Sequence, residues 1–210
     1  MKFLTVNTAG TTTEIAYFDG EEARFYKDEN GKKASEVLLE KIDALLGETA
    51  LSELDYLACV TGPGSFTGIR IGVNTVKAFC FALSKPALGI SYNKAISTLA
   101  CGKCFSVITG WADNCYVAVY DESGNEMLVP TATSIEDAVK MKTESYADYA
   151  LVVDTDAYEC LNNLGAIIVN SPDYLFKATE QAITKGELFT AETLAPYYAM
   201  KSQAERDLEK

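Results

Sequence analysis

The sequence predicts an α/β protein of two similar subdomains, each a mixed sheet flanked by helices. Three observations carry this. Apolar residues are 48 % and charged residues 23 % of a 210-residue chain, ordinary globular usage that supplies a sizeable core. The periodic segments run strand, strand, strand, helix, strand, helix, strand, helix, and then the pattern begins again with strands. Gly102 and Lys103 interrupt it in between, which predicts one subdomain over residues 1–102 and a smaller one over 103–210.

In the first half, Phe3–Thr8 is a short apolar strand, and Thr11–Phe18 is rich in β-formers. Asp19-Gly20 suits a hairpin turn into Ala23–Tyr26, giving an antiparallel meander. After the polar loop Asp28–Lys32, the stripe Leu38, Leu39, Ile42, Leu45 and Leu46 predicts a helix over Ser35–Leu46, with Ser35 as cap and Gly47 as stop. Leu54–Val60 is a buried strand. A long helix runs to Leu83 before Pro86, followed by strand Ala87–Ser91 and a short helix over Asn93–Ala100.

The second half opens with strands Phe105–Thr109 and Tyr116–Tyr120 around the turn Gly110–Asn114. Strand Glu126–Val129 precedes a helix over Ser134–Lys142, with Ser134 as cap and Asp137 three residues on. Tyr149–Val153, a short helix near Ala157–Leu164, and Ala166–Val169 read as strand, helix, strand. A last helix over Ser171–Lys185 has Pro172 in its first turn and Gly186 after it.

The densest run of special residues is Thr61–Leu83, with Gly62, Gly64, Gly68 and Gly72 between a strand and a helix. Such turns are places for phosphate, because backbone N–H groups and the helix N-terminus attract anions. The spacing is wrong for both phosphate motifs. No Lys-Ser/Thr follows a glycine as a P-loop needs, and Thr67 stands where the third glycine of a dinucleotide fingerprint belongs. Arg70 is the cation of the turn. Gly68, Gly72 and Thr75 recur at helical spacing, so one helix face carries little bulk. That face either fits the helix to its own sheet or receives another helix, with Phe66, Phe79 and Phe81 as aromatic anchors.

Composition excludes several classes. The net charge of −12 opposes direct binding of nucleic acid phosphates. With no histidine, the chain cannot build a Ser-His-Asp or Cys-His nucleophile or a histidine-ligated metal site. Of the six cysteines, Cys59 and Cys80 sit in apolar runs, while Cys101 and Cys104 form a lone C-x-x-C that allows a redox pair or half a zinc site. The start lacks the apolar stretch of a signal peptide, and no long uncharged apolar run is present, so a cytoplasmic location is expected.

Thr61–Gly72, TGPGSFTGIRIG, followed by Thr75-Val76-Lys77-Ala78, closely resembles the signature of the TsaB (YeaZ) family, G-P-G-S-F-T-G-L-R-I-G and then a helix. Asn7-Thr8-Ala9 resembles that family's D-T-S, Ser35–Leu39 its H-S-E-x-L-L, and Pro196-Tyr197-Tyr198 its closing P-x-Y-x-R. The likeness is strong over the first half and weaker over the second. It implies an actin-like ATPase (ASKHA, RNase H-like) fold and a role in making threonylcarbamoyladenosine at position 37 of tRNAs that read ANN codons. It further implies a non-catalytic subunit that binds the transferase TsaD, with the ATPase TsaE joining them, or that pairs with a second copy through the same helices. tRNA would be met only through the complex. No cofactor of its own is implied, with room for a nucleotide at the partner interface. The implied interface comprises Ser35, Leu38, Leu39 and Ile42, then Gly62, Pro63, Gly64, Ser65, Phe66, Thr67, Gly68, Arg70, Ile71, Gly72, Thr75 and Phe79. On this reading Gly72→Arg blocks docking while the subunit stays folded. Asn7 replaces the family's first-strand acid, Ala34 stands where it often has His, and Ala199 and Met200 replace its tail Arg, with Lys201 close by. The alternative is a stand-alone actin-fold small-molecule kinase or an M22-type peptidase.

Overall fold

The computed structural model describes residues 1–28 and 31–200; residues 29–30 and 201–210, Lys201 among them, lie outside the described residues, as do the side chains of 158–160 and 162, which include Cys160. The first half contains β1 (Phe3–Asn7), β2 (Glu14–Phe18), β3 (Ala23–Lys27), α1 (Ala34–Leu46), β4 (Tyr56–Gly62), α2 (Phe66–Leu83), β5 (Ala87–Ser91) and α3 (Tyr92–Ser97). Its sheet has the order β3-β2-β1-β4-β5, antiparallel through the meander and parallel from β1 to β4 and β4 to β5. The second half contains β6 (Cys104–Thr109), β7 (Asn114–Tyr120), β8 (Glu126–Ser134), α4 (Ile135–Glu144), β9 (Ala150–Val153), α5 (Thr155–Leu161), β10 (Ile167–Ile168) and α6 (Asp173–Lys185). Its sheet order, β8-β7-β6-β9-β10, repeats that of the first, with β6 in the place of β1.

The apolar strands β1 and β4 are buried on both faces, which side-chain alternation makes visible. Phe3 stacks on Phe176 of α6 with centroids 5.5 Å apart, the Thr5 and Thr179 hydroxyls bond at 2.6 Å, and Asn7 donates to the Tyr174 hydroxyl at 2.8 Å. Val6 and Thr8 point the other way, against Gly72 of α2. The helices that close the two halves are exchanged. α6 packs on β1, β2 and β5 of the first sheet, and α3 packs on β6 and β7 of the second. The Asn93 side-chain amide of α3 donates to the Ser106 and Tyr116 carbonyls at 3.3 and 3.1 Å. α3 and α6 pack on each other between the sheets, so one apolar core runs through both halves and a smaller one lies outside β6 and β7.

Some element ends differ from expectation for local reasons. α1 starts one residue early, with Lys33 in the cap position and no side-chain cap, so Ser35 is inside the helix. Pro172 sits in the cap position of α6, not in its first turn. β8 continues through Pro130 to Ser134, which an edge strand allows because it needs ladder donors on one side only. Ser134 caps α4 as its sequence suggests, accepting from the Asp137 N–H at 3.0 Å.

Candidate functional site

The carboxyl ends of β1, β4, β6 and β9 meet at one cleft, the position where open α/β sheets take ligands. The cavity there is about 870 Å³. From the first half it is lined by Ala9 to Thr11 and by the glycine turn, and from the second by Thr109 to Trp111, Tyr116, Asp154 and Asp156. The tail residues Tyr197 to Met200 form a further wall.

The glycine turn is fastened to its own chain. The Ser65 N–H donates to the Ala9 carbonyl at 2.7 Å, and the Ser65 hydroxyl caps α2 by accepting from the Gly68 N–H at 3.2 Å. Two helix N-terminal donors are thereby removed from any phosphate. Gly64 has φ +146°, and a Cβ there would collide with the Ala9 carbonyl. A Cβ on Gly68 would overlap the Thr8 carbonyl oxygen, and one on Gly72 would lie 2.5 Å from Thr8 Oγ1. The small face of α2 therefore receives its own β1 and not a foreign helix. Gly72→Arg would drive a guanidinium stem into Thr8, so it cannot separate docking from folding.

The tail explains the remaining glycine and the tail tyrosines. Leu194 is buried over Gly89, the Tyr197 N–H donates to the Thr61 carbonyl at 2.8 Å, and a Cβ on Gly62 would overlap the Tyr197 carbonyl. The Tyr197 hydroxyl donates to the Pro130 carbonyl at 3.1 Å, which joins the two halves across the cleft. Tyr198 stacks on Phe66 with centroids 4.3 Å apart, and Arg70 lies 4.2 Å from the Phe66 centroid while donating to the Tyr198 hydroxyl at 2.9 Å.

Of the residues expected at a partner interface, Leu38, Ile42, Gly62, Pro63, Gly68 and Gly72 are buried within the chain itself. Phe66, Ile71, Thr75 and Phe79 are half-buried, as is Gly64. Ser35, Leu39, Ser65, Thr67 and Arg70 are exposed. Outward on α2 lie Asn74, Ala78, Phe81 and Ala82, with Phe81 75 % exposed; outward on α1 lies Leu39, 62 % exposed. α1 and α2 touch, so both belong to the same outer layer. α2 is long and apolar enough by length and composition to cross a membrane; in the fold its Ile69, Val73, Val76 and Cys80 pack inward on the sheet.

Below the cleft, the side chain of Asn7 is tied into a buried polar network. Its amide donates to Glu14 Oε2 at 3.1 Å and to Tyr174, and its carbonyl oxygen accepts from the Ala9 N–H at 2.9 Å. Tyr174 also donates to Glu14, and Lys27 lies 3.6 Å from the other Glu14 oxygen. Burial and the Glu14 charge hold the Tyr174 phenol well above its ordinary value. Asp154 caps α5, accepting from the Thr109 N–H and hydroxyl and the Ala157 N–H at 2.9, 2.7 and 2.9 Å. Burial pushes its carboxyl up and these donors pull it back. Among the described residues, no group of three or more Cys, Asp or Glu is arranged to hold a metal ion. Sequence reasoning missed the second-half wall of the cleft. Its signal was the repeated strand order, which puts the end of Cys104–Thr109 opposite the end of Phe3–Asn7.

The C-x-x-C is not a matched pair. Cys104 is buried in β6, and burial pushes its thiol up to about 12, while Cys101 is exposed. A redox pair needs a thiol displaced downward. At pH 8 the Cys104 thiolate fraction is on the order of 10⁻⁴. Thiol labelling of the native chain followed by peptide mass mapping is therefore expected to modify Cys101 well before Cys59, Cys80 or Cys104. Early labelling of Cys104 would contradict this packing.

Two repeated mixed sheets joined at a cleft, with each closing helix on the other sheet, define a duplicated α/β protein of two subdomains. The sequence model of the tRNA N6-adenosine threonylcarbamoyltransferase (TsaD) family matches residues 28–186. A tRNA threonylcarbamoyladenosine biosynthesis protein TsaB of Escherichia coli is 26 % identical over 43 % of the chain and 40 % of its own length. A tRNA N6-adenosine threonylcarbamoyltransferase of Chelativorans is 43 % identical over 24 % of the chain and 15 % of its own length. The chain thus spans less than half the length of these curated relatives. The solved structure of YeaZ from Pseudomonas aeruginosa superimposes with a TM-score of 0.77 at 23 % identity, covering 94 % of the chain and 99 % of that structure. The chain belongs to the tRNA N6-adenosine threonylcarbamoyltransferase family, and it is similar to TsaB and YeaZ proteins in sequence and in fold.

Proposed function

We propose that the chain is a non-catalytic scaffold subunit in the synthesis of threonylcarbamoyladenosine on tRNA, acting in the cytoplasm. It docks the transferase TsaD through the outer faces of α1 and α2 in residues 1–102, with TsaE joining the pair. A second copy takes the same face when TsaD is absent. The observation that supports this is the outer surface of α2. The helix has 18 residues with Arg70 and Lys77 as its charges, its exposed side carries Ala78, Phe81 and Ala82, and the touching helix α1 exposes Leu39. Exposed aromatic and aliphatic side chains on a rigid helix pair are the anchors that interfaces use. The buried glycines take no part; they set α2 on its sheet. Any nucleotide at the partner interface would come with the partner.

The test is co-elution with TsaD on gel filtration, using Phe81→Glu and Leu39→Glu. Both side chains are exposed, so the circular dichroism spectrum and melting temperature should stay unchanged. Each charge buried without a partner is expected to weaken the complex by at least about tenfold, and the two together to abolish co-elution. Full retention of the complex by the double variant would move the interface elsewhere.

A further inference from the structure

We propose that the cleft binds a small organic cation, an ammonium or guanidinium head on an aliphatic stem, held between the Asp154 and Asp156 carboxylates and the Trp111 and Tyr198 rings. The cavity, at about 870 Å³, falls in the size range of small-molecule sites. Among the described residues its lining contains two carboxylates and no lysine or arginine, while the Arg70 guanidinium stands at the first-half lip against Phe66 and Tyr198. The N-terminus of α2 contributes roughly half a positive charge, and Ser65 and Ala9 already occupy two of its groups. Asp154 and Asp156 at the start of α5, two unit charges, outweigh that half charge and the Arg70 guanidinium at the first-half lip together, so the local field favours a cation and disfavours a phosphate.

The carboxylate geometry leaves room for one more donor. Asp154 is buried and accepts three hydrogen bonds, whereas an ionised carboxylate offers about four lone-pair sites. Asp156 is exposed at the same wall. The aromatic groups suit the same ligand. Trp111 is 67 % exposed at the second-half lip, and Tyr198 lines the first-half lip. Ring faces attract alkylammonium and guanidinium groups, Trp best. The first lip already shows this chemistry within the chain, where the Arg70 guanidinium lies against Phe66 and bonds Tyr198. Phe66 is already stacked on Tyr198 and in contact with the Arg70 guanidinium and is left out of the site, and Tyr198 keeps for a ligand the face that Phe66 does not cover.

Trp111 is the chain's only tryptophan, so its fluorescence reports on the cleft directly. Agmatine, which carries a guanidinium and an ammonium on a butyl stem, is the probe, titrated into the full chain. A saturable change in Trp111 emission is expected. Asp156→Asn, an exposed substitution that keeps the fold, should weaken it by about tenfold, the scale of one charged contact. Magnesium-ATP over the same range should give no saturable change. The proposal is overturned by a flat agmatine titration, by an equal response in Asp156→Asn, or by tighter binding of magnesium-ATP than of agmatine. None of these outcomes bears on docking through α1 and α2, which the co-elution experiment tests separately.

Discussion

Gly68→Ala is expected to lower the unfolding free energy by about 3 kcal/mol, the upper end of an overpacking penalty. The added methyl would overlap the Thr8 carbonyl oxygen, a backbone atom at the end of β1 that cannot rotate away. It would also break the bond from the Thr8 hydroxyl to the Gly68 carbonyl, 2.7 Å long. α2 must then lift off the sheet along its first turn, which loosens the burial of Ile69 and Val73. For a chain of this size the loss corresponds to a melting temperature lower by about 6–12 °C. Gly72→Ala meets the Thr8 hydroxyl at 2.5 Å instead, a side-chain atom that can turn, so it should cost less. The order of the two variants in urea unfolding is the check. A Gly68→Ala midpoint equal to wild type would mean that α2 does not rest on β1 as described.

Tyr174→Phe should cost about 2 kcal/mol, the scale of a hydrogen bond to a buried charge. The hydroxyl donates to Glu14 and accepts from Asn7, and all three residues are buried. Removing it leaves Glu14 with the Asn7 amide and the Lys27 ion pair, and leaves Asn7 with one donor group less well used. Because Tyr174 is on α6, the variant weakens the attachment of the second half's closing helix to the first sheet. Amide exchange along α6 should therefore accelerate together with the loss of global stability. Unchanged exchange and an unfolding free energy within about 0.5 kcal/mol of wild type would show that packing alone holds α6.

Much of the architecture was legible because it rests on local pattern. The alternation of strands and helices, the hairpin at Asp19-Gly20, the Ser134 cap and the strand–turn–helix at Thr61–Leu83 all follow from nearby residues. What could not be read depends on contacts far apart in the chain. The glycines announced that something approaches α2 closely, but not that it is Thr8 of the same chain. A small residue reports the absence of bulk and says nothing about which neighbour fills the space. Gly62, Gly68 and Gly72 proved internal for this reason, and Leu38 and Ile42 because they form the inward stripe of α1, while Leu39, Arg70 and the half-buried Phe79 remain on or near the surface. Pro196-Tyr197-Tyr198 carried no periodic signal, yet the tail bonds Thr61, Pro130 and Arg70. The family resemblance supplied the fold type, which the duplicated sheet order then makes explicit.

The exchanged helices also set a timetable for synthesis. Thr5 and Thr179 face each other across 174 residues of chain. At about 5–20 residues per second, the ribosome takes roughly 10–35 s to make that stretch. All five strands of the first sheet emerge well before α6, so the inner face carrying Phe3 and Thr5 waits uncovered until the second half is nearly complete. Neither sheet can finish its core alone, and the native state is reached only once almost the whole described chain is available.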